Sequence, residues 1–237
     1  MDDHYLAAAL AQEAGELLLA IRAEGGAVGD RRSNTLLLDR LRQERPDDAV
    51  LSEESPDDAV RVGRSRVWIV DPLDGTREYG QPPRDDWAVH VALAVDGVPE
   101  AGAVALPAQG LVLHTGEPPV LAPPQDGPVR VAVSRSRMSR EVQRLTAELS
   151  ATPVPMGSAG AKAMAVVRGL ADVYAHSGGQ YEWDSCAPVA VAAAAGLHVS
   201  RLDGSPLRYN RPDPYLPDLL ICRPELAESV LTAVHRG

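Results

Sequence analysis

Cysteine is scarce: Cys186 and Cys222 are the two in 237 residues, far apart and without a CxxC or Cys/His cluster. That argues against a disulfide scaffold and suits free thiols in a reducing cytosol. Long apolar runs are missing too. The N-terminal segment MDDHYLAAALAQEAGELLLAIRAE is apolar at helical spacing but carries acids throughout and lacks the basic start of a signal peptide. A cytoplasmic protein without membrane contact is expected. Positive charge is also short, with 23 Lys+Arg against 33 Asp+Glu and a net charge of -10. Long-range repulsion then argues against a nucleic-acid polymer or an anionic membrane as partner, and any anionic substrate needs a local remedy. Lysine is nearly absent, Lys162 being the one among the 23 basic residues. The six histidines (His4, His90, His114, His176, His198, His235) show no HxH or HExxH spacing, so zinc is disfavoured and each is expected as surface or sheet filler. No Ser-His-Asp or Cys-based nucleophile arrangement is visible.

What is present is an ordinary globular composition, 45% hydrophobic and 24% charged, in a length that fits one large domain or two small ones. Leu6, Leu10, Leu17 and Ile21 fall near one helical face. A Gly-rich loop, Gly25 to Gly29, then precedes Asp30 and a second helical run stopped by Pro46. The β-branched run Val67-Trp68-Ile69-Val70 is expected to end at Asp71-Pro72. Trp87, Val89, Val91, Leu93 and Val95 alternate with smaller residues up to an Asp96-Gly97 hairpin turn, and two more apolar runs reach His114. This half reads as α+β with an antiparallel sheet. The proline-rich stretch from Glu117 to Pro128 is the best linker candidate. Beyond it, strands and helices alternate as in an α/β layer, so we expect two halves, 1–120 and 121–237.

Three acidic motifs stand out. In WIVDPLDGTRE a proline-forced turn can aim Asp71 and Asp74 at one point, and Gly75 admits a ligand to the backbone. The alternative is a turn whose acids cap the next segment. Ser52-Glu53-Glu54 follows a short strand, so one of its two glutamates is expected to face a site, unless the loop is simply solvated. Asp184, before an Ala-rich helix, would serve as an N-cap. Taken together the acids say more: two like charges about 4 Å apart repel by roughly 4 kcal/mol at an effective dielectric near 20, so converging carboxylates take up protons or surround cations. Oxygen ligands favour Mg²⁺ or Mn²⁺.

The trio LSEES, WIVDPLDGTRE and YEWDSCAP, with MGSAGAKAMAVVRGLADVYAH before the last, resembles the inositol monophosphatase superfamily. VSRSR, GSAGAK and LDGSPLRYN are similar to its 3'(2'),5'-bisphosphate nucleotidase branch, the CysQ-like enzymes of actinobacterial type. The resemblance implies a layered αβαβα sandwich. It places metal ligands on Glu53, Asp71, the Leu73 carbonyl, Asp74 and Asp184, for two to three Mg²⁺ ions with Mn²⁺ able to substitute. It gives catalytic roles to Glu53 and to Thr76 paired with Asp30, and phosphate contacts to the Gly75 and Thr76 amides. Asp30 ends the stretch AVGD where the family often has TAAD. Further substrate contacts are implied at Ser134, Arg135, Arg137, Gly157, Ser158, Lys162 and Asp184, with Lys162 suited to the phosphate that is not cut; its alternative is a solvated helical lysine. Arg77 could assist or lie on the surface, and Tyr181 and Trp183 could wall the pocket or pack on the adjacent helix.

The expected activity is metal-activated hydrolysis of the 3'-phosphate of adenosine 3',5'-bisphosphate and its sulfated relative. A broader inositol-1-phosphate or fructose-1,6-bisphosphate phosphatase is the runner-up, and an inactive nucleotide- or metal-sensing module the alternative of another class. A small phosphate ester is thus the expected partner. The family often forms dimers, so a homodimer is allowed for, though no segment identifies an interface.

Overall fold

A computed structural model describes residues 1–136 and 138–235. Two helices open the chain, α1 (Asp3–Ala20) and α2 (Gly26–Glu44). A five-stranded sheet follows: β1 (Ala49–Ser52), β2 (Arg66–Asp74), β3 (Ala88–Val95), β4 (Val98–Leu106) and β5 (Leu111–His114), in that order. β1 and β2 run parallel and the remaining neighbours antiparallel. The short α3 (Thr76–Tyr79) lies between β2 and β3. After residues 115–129, which hold one isolated bridge and no longer element, come β6 (Arg130–Ser134), α4 (Arg140–Glu148), β7 (Thr152–Met156) and α5 (Ala159–Val167). The chain ends with β8 (Val173–Tyr181), α6 (Glu182–Ala194), β9 (His198–Ser200), β10 (Tyr215–Cys222) and α7 (Ala227–His235). The second sheet has the order β7-β6-β8-β10-β9.

Side-chain size along the strands dictates the layering. Trp68, Val70, Trp87, Val89, Val91 and Leu93 point to one face of the first sheet and pack on Leu6, Leu10, Leu18 and Leu37 of α1 and α2. Each such leucine contributes about 1.5–3 kcal/mol by leaving water. The intervening Ala88, Ala92 and Ala94 face the other way, and this smooth face lets α5 and α6 pack between the two sheets. Contact is close enough that a Cβ on Gly102 of β4 would come within 2.7 Å of the Ala190 Cβ. Val131, Val133 and Leu220 on the far face of the second sheet pack on Val142 and Leu145 of α4 and Val230 of α7. The result is the αβαβα sandwich. Among the described residues no helix is long and apolar enough to cross a membrane.

Several local expectations are corrected. The Gly25–Gly29 stretch is no loop: α2 begins at Gly26 and Asp30 lies inside it. Gly26 and Gly29 are needed for clearance, since a Cβ on Gly29 would press at 3.0 Å on Leu18 and 3.2 Å on Tyr79. The inward residue of α1 is Leu18 rather than the half-buried Leu17. β2 does not stop at Asp71-Pro72 but continues to Asp74. Pro72 is tolerated because β1 pairs no further than Val70, and on the β3 side the register slips between Asp71 and Asp74, so no ladder bond is demanded of it.

Candidate metal centre and the cleft beside it

The slip in β2 builds the site. Asp71 pairs opposite His90 and Asp74 opposite Ala88, so Pro72 and Leu73 bulge out and the two aspartates are drawn together. The Leu73 N–H donates to Asp71 Oδ1 at 3.0 Å, and Ser33 Oγ of α2 donates to the Pro72 carbonyl at 2.8 Å. Gly75 then turns the chain with φ +87°, where a Cβ would also stand 2.9 Å from the Ser158 Cβ. The Thr76 hydroxyl lies 3.2 Å from both Asp30 Oδ2 and the Leu73 carbonyl. With one hydrogen to donate, it satisfies one acceptor at a time.

The second half supplies Asp184. It is the third residue of α6 rather than its N-cap, and its carboxylate accepts from the Tyr181 N–H at 2.7 Å. One ligand oxygen from each of Asp71, Asp74 and Asp184 lies within 4.8 Å of the others. Glu53 and Glu54 sit in the turn after β1, so strand alternation does not govern them. Asn34 holds that turn: it donates to the Glu54 carbonyl and Ser55 Oγ and accepts from Ser52 Oγ at 2.7 Å. Both charges reach the site, Glu53 beside Asp71, Asp184 and Asp30, and Glu54 beside Asp30.

Proton affinities register the crowding. Burial and then the charge of Asp74 push Asp71 well up, with Glu53 and Asp184 adding to it. Burial, Asp184 and Asp30 raise Glu53 to about 7, although its side chain reaches solvent. Burial and Asp74 bring Asp184 to about 6, while burial and Glu54 bring Asp30 to about 6. Asp74 alone of the group goes down: burial opposes its charge, but His90 and the Gly160 N–H outweigh it. Its oxygens accept from the Ala159 and Gly160 amides at 3.1 and 2.6 Å, so it also caps α5. An all-oxygen set that repels itself without a cation fits Mg²⁺.

His90 was not singled out by the sequence. It is fully buried, its Nδ1 donates to the Trp183 carbonyl at 3.0 Å, and its Nε2 faces Asp74 Oδ2 at 3.2 Å, too far off line for a hydrogen bond. The filler expectation is corrected here, because neighbours from β2 and α6 give this histidine charged surroundings that no local spacing announces. One signal was available: a histidine between Ala88 and Ala92 on a face of small residues.

Beside the acids runs a cleft of about 340 Å³ lined by Gly75, Thr76, Arg77, Ser134, Arg135, Gly157, Ser158 and Lys162. Lys162 is no solvated lysine. It is 7% exposed, donates to the Gly157 and Ser158 carbonyls at 2.5 and 2.8 Å, and lies 5.4 Å from the centre of the Tyr174 ring. Burial lowers its pKa against the pull of Asp74 and Glu78. A neighbouring cavity of about 250 Å³ shares Lys162 and Ser134 and adds Tyr174, whose buried hydroxyl lacks a partner. Arg135 is half exposed and donates to Asp86 at 3.1 Å, and Asp86 in turn accepts from the Gly157 N–H at 2.6 Å. Ser134 Oγ lies 3.3 Å from Ser136 Oγ. Arg137 falls outside the described residues. Tyr181 and Trp183 stack on each other, with ring centres 4.8 Å apart and an 11° interplanar angle; Trp183 also packs on the core between the sheets.

The model of the inositol monophosphatase family matches residues 25–236. The 3'-phosphoadenosine 5'-phosphate phosphatase of Mycobacterium bovis is 54% identical over 241 residues, covering 94% of this chain and 89% of its own length. Its counterpart from Mycobacterium leprae is 52% identical, covering 99% and 94%. Among solved structures, CysQ from Bacteroides thetaiotaomicron superposes with a TM-score of 0.79 at 28% identity, covering 92% of this chain and 96% of that one.

Proposed function

The chain belongs to the inositol monophosphatase family, and from that premise we propose that it is a Mg²⁺-dependent phosphatase removing the 3'-phosphate of adenosine 3',5'-bisphosphate. One observation carries this reading: the convergence of Asp71, Asp74 and Asp184 from both halves of a chain that shares more than half its residues with phosphatases named for that substrate. Sulfated 3'-phosphoadenylate is the expected second substrate. Mn²⁺ substitutes for Mg²⁺, two to three ions take part, and a cytoplasmic setting goes with two buried free thiols.

Glu53, Asp71, the Leu73 carbonyl, Asp74 and Asp184 would hold the ions. When bound, these supply a water of lowered pKa and neutralise charge on the phosphoryl group during in-line displacement. The chain's own groups do the rest. Asp30, accepting from Thr76 Oγ1, turns that hydroxyl's lone pairs toward the attacking water, and Glu53 stands across the acids as a further acceptor. The amides of Gly75 and Thr76 receive the phosphate being cut; the glycine lets the backbone come close. Lys162, with Ser134, Arg135 and the Gly157-Ser158 turn, holds the phosphate that stays, supplying the positive charge a chain of net -10 lacks.

Side-by-side kcat/KM values in Mg²⁺ for adenosine 3',5'-bisphosphate, inositol 1-phosphate and fructose 1,6-bisphosphate test the assignment. A clear preference for the bisphosphate nucleotide is expected. Parity, or preference for inositol phosphate, overturns it, and no Mg²⁺-stimulated phosphate release from any of the three returns the chain to a sensing module.

A further inference from the structure

Asp184 must meet acids that belong to a different sheet, yet none of its own bonds reaches the first half of the chain. Something else has to fix the first turn of α6 against β1 and β2. Part of the answer is His90, which donates from β3 to the Trp183 carbonyl. The rest is a buried polar cluster that holds Glu182 in the same turn.

Arg61 is 1% exposed, with all its polar reach spent on three partners. Nε and Nη2 donate to both oxygens of Asp57 at 2.6 and 2.7 Å, and Nη1 donates to Asn210 Oδ1 at 3.0 Å and to the Arg211 carbonyl at 2.9 Å. Asn210 returns the contact, its Nδ2 donating to the carbonyls of Arg61 and Arg64 at 2.9 and 3.2 Å. The same loop grips α6: the Asn210 and Arg211 amides donate to the two oxygens of Glu182 at 2.7 and 2.9 Å, and Glu182 is also 1% exposed. Asn210 adopts φ +57° to aim both its amide and its side chain. Asp57 follows Glu53 by four residues and Glu182 precedes Asp184 by two. At about 100° per residue, side chains two apart on a helix point to nearly opposite sides, so Glu182 anchors from behind the turn that presents Asp184 in front.

We propose that Arg61, Asn210 and Glu182 form a clip that sets Asp184 against Glu53, Asp71 and Asp74, making Arg61 and Glu182 positioning residues for divalent-ion binding. This rests on the acids being a metal centre. A purely structural role is the competing account, since a buried guanidinium and carboxylate stabilise any junction they satisfy. The two differ in what the folded, ion-free protein does: a clip alters ion affinity, whereas a generic anchor alters only the melting temperature.

The test is a Mn²⁺ titration of the full chain without substrate, read from the electron paramagnetic resonance of free Mn²⁺, well below each variant's melting temperature. Removing groups that orient metal ligands weakens metal binding about 10- to 100-fold. Glu182→Gln and Arg61→Met are expected to raise the Mn²⁺ Kd into that range, with Arg61→Lys in between. Leu145→Ala, a core truncation under α4 on the far side of the second sheet, should lower the melting temperature and leave the Kd unchanged. Unchanged Kd values in folded Glu182→Gln and Arg61→Met overturn the clip, and so does an equal loss in Leu145→Ala. If Arg61→Met does not fold, Asn210→Gly takes its place, keeping the backbone conformation while deleting the side-chain bonds, and the same Kd decides. Failure of the unmutated protein to bind Mn²⁺ would reject the metal centre itself, an outcome distinct from failure of the clip.

Discussion

Asp71→Asn should do two opposite things: abolish turnover and stabilise the ion-free protein. Asp71 is 1% exposed, and one of its oxygens lies within 4.8 Å of Asp74 and Asp184 oxygens. At that spacing and an effective dielectric near 20, each fully ionised pair repels by on the order of 3 kcal/mol. Shared protons relieve much of this, leaving about 1–2 kcal/mol to be recovered when the charge is deleted. Asn keeps an oxygen for the Leu73 N–H, and its new amide hydrogens lie among the Asp74 and Asp184 carboxylate oxygens that can accept them. For a chain of this length that gain corresponds to a rise of about 2–8 °C in the ion-free melting temperature.

The pH dependence has a fixed sign. Asp71, Asp184, Asp30 and Glu53 all have folded-state pKa values above their unfolded values, the last three at about 6, 6 and 7. Their protonated forms favour the fold below the unfolded carboxylate range, and that contribution is lost as pH rises toward 7. Ion-free stability should therefore fall between about pH 4 and pH 7, more steeply in the unmutated protein than in Asp71→Asn. Mg²⁺ at 100 times its Kd should restore about 2.7 kcal/mol. Scanning calorimetry with EDTA and with Mg²⁺ reads both effects. An Asp71→Asn protein that melts no higher in EDTA, still gains stability from Mg²⁺ and still turns over would refute the electrostatic account of the site.

Two further substitutions probe the cleft. Lys162→Ala should cut kcat/KM on adenosine 3',5'-bisphosphate at least tenfold more than on a simple monophosphate, measured on the same preparation; equal losses would leave the lysine tied only to the Gly157 and Ser158 carbonyls. Gly75→Ala introduces a Cβ at positive φ and 2.9 Å from Ser158, so it should cost about 1–3 kcal/mol in stability. Its kcat should fall with Mn²⁺ affinity retained, and a fully active Gly75→Ala would show that the phosphate does not approach this backbone.

Much of the fold was legible because it is written in local patterns. The alternation of Trp87, Val89, Val91 and Leu93 with alanines encodes both the strand and the two different layers packed on it, and Asp96-Gly97 encodes its turn. Where reading failed, a distant partner overruled a local preference. Gly25 to Gly29 looks like a loop by composition, yet α2 starts at Gly26, and its glycine at 29 is there because Leu18 and Tyr79 leave no room for a Cβ. Pro72 looks like a strand end, yet β2 carries on past it because its neighbour on that side has already stopped pairing.

The site divides along the same line. Acids are conspicuous in a sequence, so the motifs that carry Glu53, Asp71, Asp74 and Asp184 could be singled out, although each taken alone also fitted a cap or a solvated loop and the resemblance to a family was needed to select those four. The groups that bring them together are invisible there: Asn34 on the Glu53 turn, His90 beneath Trp183, and Arg61 reaching Asn210 across some 150 residues. None has a spacing relation to the residue it serves. That asymmetry follows from placing the acids at the junction of two sheets. A carboxylate there is worth its burial only if an ion arrives, and each half must be held in register before one does. The holding groups are therefore themselves buried and polar, satisfied only by the finished fold, and their deletion should show first in the binding of ions rather than in the chemistry that follows.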